Sequence, residues 1–351
     1  MNKIRNDLKL ILILFNINKI MKKINNGNKL LKLLFNILKK IICLFNYLRK
    51  KNKYRKQYKL TIFFFFLTSN ISLFLYKLIF INLKKIQVCL CVLGKKENNY
   101  AREFVEHYKL YGVDKIFIYD NNDINGEKFE NVLSDYISNQ FVEIINYRGK
   151  NQKQIQMLNE CYNNNFEKYD WFIMYDMDEF INLKNHINIK NYLKRIKFNK
   201  CNVIYFFRAF HTDNNQLYYK NKTLFERFPN SVYNTLSVKP IVRGHINNLI
   251  IDNNHLINGN IKSCYSLGEK KNKQMDFKNY FIDHFYFKST EEFIDKINRG
   301  DSFYNNTDGL KLGKINYYFA SNNITLEKIN YIEKETGINL TKFKQKINIT
   351  K

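Results

Sequence analysis

Proline occurs only twice in the 351 residues and glycine 12 times, while Lys, Asn, Ile, Phe and Tyr crowd the chain. That bias reads as a mutational habit of the source genome, so low-complexity runs carry little weight as evidence of function. No internal repeat is visible. None of the six cysteines (Cys43, Cys89, Cys91, Cys161, Cys201 and Cys264) falls in a CxxC pair or at zinc spacing, which argues against a metal–thiolate site. Cys89 and Cys91 alternate along an apolar strand and read as small core residues. No disulfide framework is expected in a chain of this length.

Acid is the next scarcity. Asp and Glu number 31 against 58 Lys and Arg, a formal charge of +27. Such an excess points to nucleic acid or to an anionic membrane surface. Its distribution favours the membrane. Residues 1–59 hold 17 Lys/Arg and one acid, Asp7, a net +16, which leaves +11 for the remaining 292. The excess therefore belongs largely to a basic N-terminal segment, and nucleic acid is not the expected partner.

Charge then vanishes. Residues 60–76, LTIFFFFLTSNISLFLY, run uncharged for 17 positions, and apolar character resumes after Lys77 as LIFINL. A spanning helix needs about 20 apolar residues, and Lys77 is placed to snorkel. The run lies too far from the N-terminus for an ordinary signal peptide. Seven positive residues in 49–59 precede it, so the positive-inside rule keeps the N-terminus cytoplasmic. The expectation is a single-pass type II anchor over 60–83, in the Golgi or another endomembrane if the source is eukaryotic and otherwise in a host or plasma membrane. The alternative is a buried helix of a soluble protein. Upstream, 30–48 repeats apolar residues at three- and four-residue spacing, suiting an amphipathic helix on a membrane surface. Met21 offers a second possible start.

From residue 86 short apolar runs alternate with helical segments. Strands are expected at 86–93, 115–120, 141–147 and 171–176, with helices near 99–110, 127–138 and 152–168. After residue 200 the signals weaken to a strand at 203–210 and helices near 290–298 and 325–336. Alternation of this kind indicates an α/β fold, a mostly parallel central sheet with helices on both faces. Such sheets bind ligands at the carboxyl ends of their strands. The polar clusters GKKENN, DNND, RGKNQ and DMDEF sit at those ends.

The last cluster is the most specific. On a strand, residues two apart face the same way, so Asp176 and Asp178 are expected to aim their carboxylates at one point. Burying two like charges costs several kcal/mol unless a cation intervenes. Hard oxygen donors suit Mg²⁺ or Mn²⁺. A helix cap or a solvated turn is the plainer explanation of the same residues.

Several ordered blocks then carry a resemblance. KKENNYAREFVEHYKLYGVDKIFIYDNND (95–123), NQKQIQMLNECY (151–162), DWFIMYDMDEF (170–180), VKPIVRGH (238–245) and DHFYFKSTEEFIDKINRGDS (283–302) resemble, in order, the blocks of glycosyltransferase family 92. The resemblance implies a Rossmann-like GT-A domain over 86–320, followed by a helical tail at 321–351. It implies transfer of a hexose (galactose is one candidate) from a nucleotide sugar, a UDP-sugar above all, to a glycan or glycoprotein, with inversion. Asp178 would bind Mn²⁺ or Mg²⁺, and Asp176 the metal or the ribose. His284 would be a third ligand, with His245 and His255 as rivals. Asp120 would read the nucleoside, while Lys96 and Glu97 would line the cleft. Gln154 would reach nucleotide or sugar, although Gln154 and Asn159 also suit an ordinary polar helix face. Lys288 and Arg299 are candidates for phosphate contact, and Glu179 for bracing the loop. A general base is needed to deprotonate the acceptor; Glu226 and Asp213 are the candidates. Two departures put acceptor recognition in doubt: GKKE replaces Lys-Asn-Glu after the first strand, and no glycine-rich stretch precedes Glu226. The competing readings are a non-catalytic membrane scaffold with a degenerate fold and a Mg²⁺-dependent nucleic-acid enzyme.

Overall fold

The computed structural model describes residues 86–150, 153–184, 188–258, 261–268, 279–300 and 307–349. The expected basic segment at 1–59 and anchor at 60–83 lie outside the described residues. No described helix is long and apolar enough to cross a membrane.

Four parallel strands form the first half of the sheet: β1 (Val88–Gly94), β2 (Lys115–Asp120), β3 (Val142–Asn146) and β4 (Trp171–Met174). They lie in the order β3-β2-β1-β4. Three helices connect them: α1 (Asn98–Leu110), α2 (Glu130–Ser138) and α3 (Gln154–Asn165). β1 shows why helices must cover both faces. Its residues Val88, Leu90 and Val92 join a core with Phe104 and Tyr108 of α1 and Leu133 of α2. Cys89 and Cys91 point the other way, into a core with Met157, Leu158 and Tyr162 of α3. A strand buried on both sides reads as a continuous apolar run, and β1 does.

The second half corrects the expectation of a mostly parallel sheet. β4 pairs antiparallel with β7 (Ser231–Arg243), and β7 pairs antiparallel with β6 (Val203–His211). β9 (Tyr280–His284) runs parallel to β6 and antiparallel to β5 (Glu179–Leu183), while the short β8 (Ser263–Tyr265) also pairs with β6. The sheet is therefore mixed. The reason lies at the end of β4: Tyr175–Asp178 turn the chain away, so β5 joins the far end of the sheet instead of extending β4.

Beyond β5 come α4 (Ile189–Leu193) and α5 (Leu224–Arg227), and after β9 come α6 (Thr290–Asn298), α7 (Asp308–Ser321), α8 (Leu326–Thr336) and α9 (Thr341–Ile349). The expected helical tail at 321–351 contains α8 and α9 among the described residues, and α8 packs on its neighbours. Ile329 and Ile332 of α8 share a buried cluster with Phe293 and Ile297 of α6 and Tyr318 of α7. Polar clasps reinforce it. Arg227 donates to Glu292 Oε1 at 3.0 Å, and the Tyr100 hydroxyl donates to the same carboxylate.

The cysteines also depart from expectation. Cys91 of β1 is bonded to Cys161 of α3, 70 residues away, and Cys201 to Cys264 of β8, 63 residues away. Cys89 is free and buried. Sequence spacing conceals such pairs because the strand and helix that bring the sulfurs together are far apart in the chain. Loops this long give each disulfide about 4 kcal/mol on the chain-entropy account. Non-reducing peptide mapping is expected to recover both bridges and a free Cys89, and Cys91→Ser to lower stability by roughly that amount in urea unfolding.

Burial also sets an acid limit. His107 of α1 bonds the Ile181 carbonyl of β5 at 2.9 Å, and its removal from water lowers its pKa to about 4. An unfolded histidine titrates near 6.5, so between those values the unfolded chain holds more protons. Stability is therefore expected to be full above about pH 6.5 and to fall as pH drops toward 4. Urea titrations across that range check this, and His107→Gln should flatten the slope by about one proton.

Candidate functional site

The turn between β4 and β5 places three acids around a bend that closes on itself. Glu179 N–H donates to the Asp176 carbonyl, and Asp176 N–H donates to Glu179 Oε2, both at 3.0 Å. Asp176 and Asp178 are thus turn residues, and the two-residue strand period expected for them does not apply. Their carboxylates go to different cations. Asp176 accepts from Lys239 Nζ of β7 and from Gln154 Nε2 at the start of α3, each at 2.6 Å. Asp178 accepts from Lys296 Nζ of α6 at 2.6 Å and faces His284 Nε2 at 3.3 Å. Glu179, fully buried, takes Arg208 of β6 at 3.1 Å and Lys239 at 3.3 Å. The Arg208 guanidinium also lies 3.3 Å from His284 Nδ1.

Electrostatics follow from that geometry. Burial raises every carboxyl here, but Lys239 outweighs it at Asp176, and Lys296 with His284 outweigh it further at Asp178. Both stay ionised, Asp178 well below the usual carboxylate range. At Glu179 burial wins and the carboxyl is raised despite Lys239. Burial pushes His284 down to about 3 against the opposing pull of Asp178, which keeps the imidazole neutral. The carboxylate is in the protonation state that a metal ligand needs, and the neutral imidazole, whose Nδ1 accepts from Arg208, would have to shift its proton from Nε2 to bind an ion there.

The remaining expected residues surround the loop after β1. Lys96 is exposed and left-handed (φ 54°), and its N–H donates to Asn122 Oδ1 at 2.7 Å, tying this loop to the one after β2. Glu97 is buried against Arg299 at 3.0 Å. Lys288, also buried and left-handed, has its ammonium 3.7 Å from the Tyr100 ring centre. Asp120 ends β2 opposite Gly94 of β1, where Arg148 holds Oδ2 at 3.0 Å and Asn122 donates to Oδ1.

Other candidates sit elsewhere. Asp213 is 1% exposed and bound by Lys328 of α8 at 2.5 Å and by the Tyr318 hydroxyl, a clasp for the C-terminal helices and no surface for an acceptor. Glu226 closes a capping box with Thr223 at the start of α5, and those hydrogen bonds lower its pKa. Neither placement suits a general base. Asn159 clamps Ile251 through its side chain, donating to the carbonyl at 2.6 Å and accepting from the N–H at 2.9 Å. His245 is half exposed beside Asp170, and His255 bonds the Val238 carbonyl. Of the three histidines, His284 is the one that faces Asp178.

The 3.3 Å between Asp178 Oδ1 and His284 Nε2 is close to the roughly 3 Å edge of an octahedron with bonds near 2.1 Å. Mg²⁺-type ions accept such a partial set because they complete it with water and phosphate oxygens. Asp176 does not join them, and no group of three or more His, Cys, Asp or Glu able to hold a metal occurs among the described residues. Of the three expected ligands, Asp178 and His284 are brought together, while the Asp176 carboxylate turns to Lys239 and Gln154.

Lys239, Lys296, Arg208 and Arg148 were missed as site residues. A lone cation inside an apolar strand was the available signal: Arg208 in VIYFFRAF and Lys239 in SVKPIV must be paired if those strands are buried. Lys239→Met leaves Asp176 and Glu179 without their shared ammonium and should cost about 3–5 kcal/mol in urea unfolding. Adding Glu179→Gln should restore part of that loss.

The profile of glycosyltransferase family 92 matches residues 84–335, most of the chain. No curated protein matches it. Among solved structures, S. aureus TarS in complex with UDP is 9% identical with a TM-score of 0.29, and 38% of each chain is covered. Mannosyltransferase PcManGT from Pyrobaculum calidifontis, in complex with GDP-Man and Mn²⁺, is 8% identical with a TM-score of 0.28 and 35% of each chain covered. The chain thus spans little more than a third of the length of these two structures. Likenesses so slight carry no argument, and the family match stands without them.

Proposed function

The chain belongs to glycosyltransferase family 92, and from that we propose that it transfers a hexosyl group, with inversion, from a nucleotide sugar to a hydroxyl of a glycan or glycoprotein. The observation that carries this reading is the pairing of ionised Asp178 with neutral His284 at the end of β4, beside the cations Lys288, Lys296 and Arg299. Asp178 and His284 would hold Mn²⁺ or Mg²⁺. The bound ion supplies Lewis-acid charge for the departing diphosphate. Lys288 and Arg299 would meet the phosphates, and Asp120 with Arg148 the nucleoside. Asp176, held by Lys239 and Gln154, keeps about a third of its side chain exposed and would meet the sugar or ribose. A UDP-sugar, galactose among the candidates, is the donor we favour.

The proposal includes a type II anchor at 60–83 that puts this domain on the lumenal side of the Golgi or another endomembrane. The two disulfides support that side, because such bonds persist in oxidising compartments.

Mn²⁺-dependent hydrolysis of a panel of UDP- and GDP-sugars by the full chain tests the reading. Turnover of one donor, abolished by EDTA and lowered at least ~100-fold by Asp178→Asn, is expected, a loss of about 3 kcal/mol of transition-state stabilisation. A folded wild-type protein that turns over no donor sinks the proposal.

A further inference from the structure

Lys296 makes the closest cationic contact to Asp178, and beyond its charge it has no role of its own in the transferase reading. Its ammonium lies 2.6 Å from Asp178 Oδ2, 4.0 Å from the Tyr286 ring centre and 3.3 Å from the Tyr286 carbonyl. Those contacts fix it over one carboxylate oxygen while His284 faces the other. The surroundings are already cationic. Lys288, Lys296 and Arg299 stand against two acids, Asp178 and Glu97, in one buried neighbourhood. A divalent ion arriving alone at Asp178 and His284 meets a fixed ammonium on the same carboxylate and a local excess of positive charge. A diphosphate reverses that balance, because its oxygens accept both from the ammonium and from the ion.

Resting on the nucleotide-sugar reading, we propose that Lys296 is a positioning residue that makes cation binding conditional on nucleotide: it occupies Asp178 as an internal counter-ion until a diphosphate draws it away. Coupling of this kind is reciprocal, so nucleotide affinity gains from the cation by the same factor. A lysine serving only to anchor α6 has no such consequence, since its removal loosens the helix without favouring the ion.

Free Mn²⁺ measured by electron paramagnetic resonance, with the full chain and with or without UDP or GDP, separates the two roles. Wild type should bind Mn²⁺ weakly alone and at least tenfold more tightly with one nucleotide. Lys296→Met should bind Mn²⁺ alone at least tenfold more tightly than wild type, with the nucleotide effect reduced by the same factor. Lys296→Arg, which keeps the charge, should behave as wild type, and Lys296→Gln replaces the Met variant if that one does not fold. Nucleotide-coupled Mn²⁺ binding in wild type that Lys296→Met leaves unchanged or weakens overturns this inference alone. Absence of Mn²⁺ binding in wild type and variant, with or without nucleotide, overturns the nucleotide-sugar reading with it.

Discussion

Charge burial at the β4–β5 turn is the constraint on which the rest of the molecule depends. Asp178 and Glu179 leave water and Asp176 leaves it in part, and each buried ionised carboxylate costs several kcal/mol there unless matched. The matching groups come from distant elements: Lys239 from β7, Arg208 from β6, His284 from β9, Lys296 from α6 and Gln154 from α3. Gln154 belongs to the parallel half, but the other four reach the turn only when the mixed half of the sheet and α6 are assembled against it. The turn is therefore both the chemical centre and the joint between the two halves. Lys239 shows this most plainly, since one fully buried ammonium serves Asp176 and Glu179 at once.

The same logic recurs away from the centre. Asp213 with Lys328 and Tyr318, and Glu292 with Arg227 and Tyr100, are buried polar clasps that bring the C-terminal helices onto the sheet. Tyr100 belongs to α1, so its bond to Glu292 joins the first helix to α6. Lys288 and Arg299, which flank α6, pack on Tyr100 and Glu97 of the same region. The C-terminal helices thus help fix the mouth of the site, and α6 reaches it directly through Lys296.

Much of this was legible in the sequence where local pattern decides the structure. The strand at Lys115–Asp120 and the helix at Thr290–Asn298 fall where apolar periodicity placed them. The first half of the sheet follows from strand–helix alternation, a local signal. The second half does not, because the antiparallel pairing of β7 with β4 and β6 is a long-range choice between apolar runs of equal quality. Asp176 and Asp178 both read as one strand face, although the chain has already begun to turn there and their carboxylates part toward Lys239 and Lys296. Asp213 looked free in HTDNN because its partners, Tyr318 and Lys328, lie more than a hundred residues away. Cys91 reads as core filler because Cys161 lies on α3, 70 residues further along the chain.

Why a basic chain concentrates acid at this bend follows from the division of work among the three. Glu179, with no exposed surface, is wholly internal and anchors Arg208 and Lys239. Asp176 opens outward but is pinned on both oxygens, so its orientation is fixed before any ligand arrives. Asp178 alone meets both a neutral imidazole and a cation from an element at the mouth. Carboxylates left unmatched would bind any cation offered, whereas carboxylates matched by immobile partners would bind none. A carboxylate matched by a lysine on an unbranched side chain lies between these limits, because that ammonium can follow a stronger anion without disturbing the sheet. Selectivity for a cation that arrives with its own anion is then a property of charge placement, requiring no movement of the backbone.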